Sequence, residues 1–482
     1  MADSVLRSGI ILLLLILLAS GGHWKVSASG QPPGKFPIPH SKSPPSAAVV
    51  SRLAFGSCAN QSGPQPIWNA VIDFDPQVFI WLGDNIYGDN RRPFSVFGRT
   101  ATIGPWKNTP RFFPSSEEEM RRRYRLAKYQ PGYSVLRQRA QHELILLQII
   151  GTYDDHDYGL NDAGKEFPLK NISQRLLLDF LDEPEDSPRR KQAGVYASYV
   201  FGPPGKQLKV IVLDTRYHRD PLFSDGSILG ESQWEWLANE LSGPQTEITI
   251  IASSIQVVSN LSATTGPFFY LESWGHFPTE RERLYKLITN NAVFLLQRTG
   301  VFFISGDVHF AEITRFDCGC EYPLYDITSS GLTQAVERTV PQPFDFLVRL
   351  AAWLTPSTMR VHSQTCLYKS CAYGQPNFGA VEIDWDSVPP TMKFEVRTVN
   401  GDPANSIEIL LSELQPKNNS RIPASKPYQR HCSLEVELPW FRRYQLALTF
   451  FGSVAVFVVA LTVLVKSIAS ASKKCVRKLK ID

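Results

Sequence analysis

Six short apolar runs punctuate the chain: RLAF (52–55), QVFIWL (77–82), ELILLQII (143–150), KVIVLD (209–214), EITIIAS (247–253) and GVFFIS (300–305). Their apolarity is continuous rather than alternating, and Val and Ile are frequent, which predicts strands covered on both faces. Between them the pattern turns helical. SSEEEMRRRYRLAKY (115–129) opens with Ser116 and Glu119 at capping-box spacing. ESQWEWLANEL (231–241) reads as an amphipathic helix, and PTERERLYKLITNN (278–291) as another with Pro278 early in it. Strands alternating with helices imply an α/β architecture. No internal repeat is evident.

Two further apolar stretches lie at the ends. Residues 9–19 (GIILLLLILLA) follow Arg7 and precede small residues through Gly30, the pattern of a secretory signal peptide over 1–29. An uncleaved anchor is the competing reading. Residues 30–48 form a Pro-rich linker. Near the other end, QLALTFFGSVAVFVVALTVLV predicts a membrane-spanning helix over 444–466, with Trp440, Phe441 and Tyr444 at its entry. Lys466, Lys473, Lys474, Arg477, Lys478 and Lys480 follow it, which favours a cytosolic basic tail over 467–482. The expectation is a single-pass type I membrane protein whose large domain, 49–415, is lumenal or extracellular, carried on a polar stalk over 416–443. The ending KLKID resembles the dilysine retrieval signal of membrane proteins returned to the endoplasmic reticulum, and chance in a Lys-rich tail is its competitor.

Composition adds little to this picture. Of 482 residues, 43% are hydrophobic and 20% charged, which suits a folded chain with a substantial core. A net charge of +4, much of it in the tail, is too small to imply nucleic acid. Of seven cysteines, Cys475 falls in the expected cytosolic tail, and the compartment of the other six permits disulfides. A pairing of Cys318/Cys320 with Cys366/Cys371 is plausible, although spacing leaves the connectivity open. Asn171, Asn260 and Asn418 are candidate glycosylation sites.

The C-terminal ends of the runs carry the chemistry. RLAF leads to Gly56-Ser57-Cys58, QVFIWL to Gly83-Asp84-Asn85-Ile86-Tyr87, and ELILLQII to Tyr153-Asp154-Asp155-His156-Asp157. KVIVL leads to Asp214-Thr215-Arg216, and GVFFIS to Gly306-Asp307-Val308-His309. Ligands of α/β sheets bind beyond these strand ends. Singly, each has a plain explanation: a turn, an Asp214–Arg216 ion pair, a buried cysteine. Together, so many carboxylates at one sheet edge would hold each other's protons on, and a cation relieves that conflict. Oxygens favour hard cations, whereas thiolate and imidazole favour transition metals, so a mixed set predicts more than one metal.

FGSC, GDNIY, DDHD, LDTR and GDVH, in this order, resemble the PhoD-like alkaline phosphatases of the calcineurin-like metallophosphoesterase superfamily. YRLAKYQPGYSVLRQ, LGESQWEWL and ESWGHFPTERERL strengthen the resemblance, which spans roughly residues 50–335, is faint over 336–400 and is absent from both termini. It implies a four-layered αββα sandwich with a two-metal centre, plus the C-terminal transmembrane helix. It implies that Cys58, Asp84 and Tyr87 hold Fe(3+), that Asp84 bridges to a second ion, and that Asp155 binds that ion. Asp307 and His309 would serve one metal each. PhoD-like enzymes pair iron with calcium, and the carboxylates at 155 and 307 suit Ca(2+). Asp154 and Asn161 are further candidate ligands. Asp154 and Asp157 are candidates to orient His156, and Asp214 is a candidate ligand or support.

The implied chemistry is hydrolysis of a phosphate mono- or diester by hydroxide generated between two metals. Arg216 would grip phosphate oxygens, and His156 would protonate the leaving oxygen. Asn60, two residues past Cys58, would then lie too near a metal for a glycan. The insertion 88–114 would overhang the site and select substrate, or be a plain surface loop. Within 336–365, FDFLVRLAAWL reads as a helix near the bilayer or as core. A membrane anchor suits a substrate phosphate linked to lipid or glycan. The alternative class is a membrane-anchored, non-catalytic ligand-binding domain with an inherited metal site.

Overall fold

The structure is a computed structural model that describes residues 48–91, 94–96, 99–101, 112–142, 147–222, 224–265, 268, 270–289, 299–416 and 431–478. The expected signal peptide, the linker up to residue 47, Asn418 and residues 479–482 of the KLKID ending lie outside these described residues.

The strands in chain order are β1 (Arg52–Gly56), β2 (Val78–Leu82), β3 (Asn90–Arg91), β4 (Phe94–Val96), β5 (Arg99–Ala101), β6 (Phe112–Phe113), β7 (Gln148–Thr152) and β8 (Ala197–Phe201). They continue with β9 (Leu208–Val212), β10 (Ile248–Ala252), β11 (Val301–Ser305), β12 (Ala311–Phe316), β13 (Leu324–Ser329), β14 (Asn377–Asp384), β15 (Thr391–Thr398) and β16 (Pro403–Leu410). One six-stranded sheet has the order β16-β15-β14-β1-β2-β7, the other β12-β13-β11-β10-β9-β8. In the first, β1, β2 and β7 are parallel, and β14 to β16 add an antiparallel meander beside β1. In the second, β9, β10, β11 and β13 are parallel, and β12 and β8 close the edges antiparallel.

All six apolar runs contain strands. The third is displaced toward its polar end, at Gln148–Thr152, because Gly151 and Thr152 pair with Trp81 and Leu82 of β2. Six long-sheet strands lack such runs: β8, β12, β13, β14, β15 and β16. Their polar residues, such as Glu312, Asp326, Asn377 and Glu395, are buried and hydrogen-bonded inside the fold, which breaks the apolar pattern.

Alternation along β2 divides the core. Val78, Ile80 and Leu82 join Leu53 and Phe55 in one cluster with the second sheet and its helices α6 (Gly230–Ser242) and α8 (Pro278–Thr289). Phe79 and Trp81 face a separate cluster with α1 (Ile67–Phe74), α2 (Glu117–Lys128), α3 (Pro131–Ala140) and α5 (Lys170–Phe180). A strand buried on both faces separates successive side chains into two cores by its period of two. Ser116 caps α2 by accepting the amide of Glu119 at 3.2 Å. The Glu119 carboxylate pairs with Arg122 and Arg123.

The C-terminal segment corrects two expectations. Cys318 pairs with Cys432, and Cys366 with Cys371, rather than 318/320 with 366/371. Cys320 stays a thiol that accepts a hydrogen bond from Thr289. The second half of the expected stalk is also no free tether. His431 exchanges backbone-directed hydrogen bonds with Asp317, and Glu435 is fully buried. The helix α11 (Gln445–Lys478) follows; its Gln445–Ala471 part is mostly exposed beyond the buried Leu446, and is long and apolar enough to cross a membrane. Asn171 is exposed, as a sequon requires. Asn260 is buried, with Gly275 packed against its amide, so the fold leaves no room for a glycan there.

Candidate metal centre

The ends of β1, β2, β7, β9 and β11 converge. Past β1, Ser57 forms an isolated bridge with Ser330 after β13, which laces the two sheets together at this point. The backbone then enters the left-handed region at Cys58 (φ 62°), Asp84 (φ 49°), Asp307 (φ 71°) and His309 (φ 61°). Four of the eight non-glycine residues in that region among the described residues are thus expected ligands. Such backbone costs of order 1–3 kcal/mol per residue and persists only where its surroundings enforce it, which occurs mostly at functional sites. Gly83 (φ 96°) is needed for approach as well as conformation: a Cβ there would lie 2.4 Å from Cβ of Asp154.

These turns bring ligand atoms together. Cys58, Asp84 and His309 offer one atom each within 4.8 Å of one another, and so do Asp84, Asp155 and His156. Asp154, Asp155 and Asp307 make a further group, and Asp155, Asp162 and Glu272 another. Asp84 is shared by the first two groups, and Asp155 by the last three. Sγ of Cys58 is 3.4 Å from Oδ2 of Asp84, and the Tyr87 hydroxyl is 2.9 Å from Nε2 of His309. Tyr87 is itself held by Gln61, which accepts its amide at 2.9 Å and donates to its carbonyl. Tyr87, Asp307 and His309 are half-buried while Cys58, Asp84, Asp154 and Asp155 are buried, so the cluster opens on the side of the first three.

The electrostatics are those of acids short of counter-charge. Burial pushes the Asp84 carboxyl well above the usual range, with Asp155, Asp154 and Asp157 adding to it and His156 opposing. Burial raises Asp154 likewise, against the pull of Arg216. The Cys58 thiol is pushed up by burial and by Asp84, and the Tyr87 hydroxyl by burial, Cys58 and Asp84. Oδ2 of Asp154 is buried with no hydrogen-bond partner among the described residues. A carboxylate oxygen left so, among thiol, phenol, imidazole and further carboxylates, fits a cation and fits little else. The donor set therefore suits a metal: a softer end at Cys58, Tyr87 and His309, and an all-oxygen end at Asp154, Asp155 and Asp307.

The supporting residues depart from the expectations at several points. Asp89, not Asp154 or Asp157, orients His156: its Oδ1 is 2.9 Å from Nδ1 of the imidazole. The Asp157 carboxylate instead accepts the amides of Asp84, Asn85 and Asp154, which ties the turn after β2 to α4 (Asp155–Tyr158). Asp154 is engaged by Ser254 at 2.7 Å and by Nε of Arg216 at 2.6 Å. Arg216 is fully buried and gives its other arm to Glu272 at 2.8 Å, so its fork does not project toward an open face as a phosphate grip would. Asp214 makes no side-chain pair with Arg216. Its oxygens accept the amides of Val195, Arg216 and Tyr217 and the hydroxyl of Tyr153, which leaves no ligand role for it. Asn161 gives its backbone amide to Asp89 and its side-chain amide to Asp162.

Asp89, Asp162 and Glu272 are functional candidates that the sequence reading missed. Asp89 had a signal, lying two residues past Tyr87 in GDNIYGDN. Glu272 follows the short apolar stretch FFYL (268–271), which is not one of the six strand-forming runs, and only the fold brings it to Arg216. Of the 88–114 insertion, Phe112 lies with its ring 5.6 Å from that of His156, and the Arg91 guanidinium sits over Phe112 at 5.2 Å. Most of the segment is outside the described residues.

A family model described as PhoD-like phosphatase matches residues 53–338. The chain belongs to that family. The match runs from β1 to just past β13, so it takes in every member of the PhoD-like cluster, while β14–β16 and α11 lie beyond it. Alkaline phosphatase D of Bacillus subtilis (strain 168) is 27% identical to this PhoD-like chain over 145 residues, 25% of the chain and 24% of the relative. The chain thus spans about a quarter of the length of that curated relative. The solved structure of PhoD superposes with a TM-score of 0.54 at 16% identity, covering 84% of this chain and 78% of that one, and shares the fold. GAP50, the anchor in the inner membrane complex of Plasmodium, superposes with a TM-score of 0.39 at 10% identity, over 79% of this chain and 99% of that one.

Proposed function

We propose that this chain hydrolyses phosphate esters at a two-metal centre built between two sheets of an αββα sandwich. The observation that carries the reading is Asp84, whose carboxylate belongs both to the group with Cys58 and His309 and to the group with Asp155 and His156. Cys58, Tyr87, Asp84 and His309 would hold a ferric ion, and Asp84, Asp155 and Asp307, with Asp154, a calcium ion. Bound there, the ions would supply an acidified water and counter-charge for the phosphate oxygens. The protein's part is positional and protonic. Cys58 and Tyr87 hold their protons in the metal-free cluster, so loading it releases protons. His156, its Nδ1 held by Asp89, would protonate the leaving oxygen through Nε2. Arg216 acts through Asp154, as a brace, and leaves phosphate binding to the opening beside Tyr87 and His309.

In the same reading α11 spans a membrane, the large domain is lumenal with a glycan at Asn171, and KLKID returns the protein to the endoplasmic reticulum. Family membership favours an enzyme over a binding domain with an inherited site. The test is Asp84→Ala in the purified full chain, read by elemental analysis and by turnover of a soluble chromogenic phosphate ester. We expect loss of most metal and about 10³-fold or more of kcat/KM. Wild-type turnover in the variant would end the assignment.

A further inference from the structure

Helix α9 (Phe346–Leu354) leaves its apolar side uncovered. No residue of it is buried. Phe346, Leu347, Leu350 and Trp353 fall on one face by helical spacing, Phe344 precedes them, and all five are exposed, Trp353 by 59%. A contiguous apolar face of this kind marks a surface made to meet something. A polar flank of the helix is tied down. Arg349 donates to Glu337 at 2.9 Å and to Asp345 at 3.1 Å, and its guanidinium lies over the ring of Tyr368 at 4.8 Å. The helix is therefore fastened by its polar side and presents its apolar side outward.

What it would meet follows from its neighbours. The backbones of α9 and α11 approach within 8 Å. Just before α11, in the short helix α10 (Trp440–Arg443), Trp440 and Phe441 are exposed by 67% and 54%, beside Arg442 and Arg443. Arg443 donates to the Ala263 carbonyl at 2.9 Å, and Phe268 stacks on Phe451 with ring centroids 5.6 Å apart, so the first turns of α11 are fixed to the domain. Aromatic and basic residues at the foot of an apolar helix are the composition of a membrane interface. An apolar helix face fixed to the domain beside α11 can enter the same layer. The segment leading to α9 also starts in the metal cluster: Val336 donates to the His309 carbonyl at 2.8 Å, and Gln334 to that of Cys58 at 3.1 Å.

We propose that the Phe344–Trp353 face of α9 is seated in the interfacial layer of the bilayer that α11 enters, holding the domain flat against the membrane so that membrane-borne phosphate esters meet the site. The inference rests on reading α11 as membrane-spanning. The test uses the full chain in phosphatidylcholine nanodiscs that carry a lipid with a photoactivatable acyl chain, with adducts mapped by mass spectrometry. We expect adducts on α11 and on peptides covering 344–354, the latter falling about tenfold in the double variant Leu350→Glu, Trp353→Glu while α11 labelling stays. Adducts on α11 with none on 344–354 overturn the docking face alone. No adducts on either overturn the span on which it rests.

Discussion

Replacing Arg216 by Met separates the two roles that sequence and structure give this residue. Its guanidinium is 2.6 Å from Oδ1 of Asp154 through Nε and 2.8 Å from Oε2 of Glu272 through Nη1, and all three side chains are fully buried. Met fills much of the volume but leaves Asp154 in the interior without its cation, and Glu272 with Arg219 alone. Removing one partner of a buried ion pair costs about 3–5 kcal/mol, because the remaining charge is neither solvated nor paired. At about 2 °C per kcal/mol for a large domain, the unfolding temperature falls by about 6 °C or more. The assay is thermal unfolding of the full chain followed by near-ultraviolet circular dichroism, with KM for a soluble phosphate ester measured in parallel. Arg216→Lys keeps the charge without the fork and should fall between Met and wild type. If Arg216→Met unfolds at the wild-type temperature while KM rises, the guanidinium is free for substrate and the bracing argument is wrong.

Two further outcomes follow from groups away from the centre. Burial lifts the Asp326 carboxyl from the ordinary 3.8 to about 6, against hydrogen bonds from Ser305, Val257 and Val258. The native state thus binds a proton that the unfolded chain has released, and the stability this proton contributes is complete below about pH 4 and lost as pH rises through about 6. The span is about 3 kcal/mol. Urea midpoints at pH 5 and pH 7 should therefore differ more in wild type than in Asp326→Asn, and equal differences would exclude Asp326 as the source. Cys432→Ala opens a disulfide that closes a separation of 114 residues. It should cost about 2–5 kcal/mol and expose the 431–438 segment to limited proteolysis, and wild-type resistance would show that the segment is held without the bond.

The residues at the strand ends were legible in the sequence because strand and exit are local. A continuous apolar run announces a strand buried on both faces, and the polar residues directly after it inherit its position at the sheet edge. Cys58, Asp84, Asp155, Asp307 and His309 were singled out in this way as candidate ligands, whereas the phosphate-ester chemistry came from the resemblance of the motifs. The residues that steady them were not. Glu272 reaches Arg216, Asp89 reaches His156, and Ser330 reaches Cys58 across separations of 56, 67 and 272 residues, and none of them stands at the end of one of the six strand-forming runs.

Sequence alone determined which segments are apolar enough to be central strands or a membrane-length helix, since that depends only on the transfer of side chains out of water. Tertiary structure decided the rest: that Arg216 faces carboxylates rather than solvent, that Asn260 is buried, that Cys432 reaches Cys318, and that α9 keeps its apolar side outward. Each of these is a statement about a partner distant along the chain. Hydrogen-bond geometry and burial select such partners only once two sheets have packed and fixed their ends together.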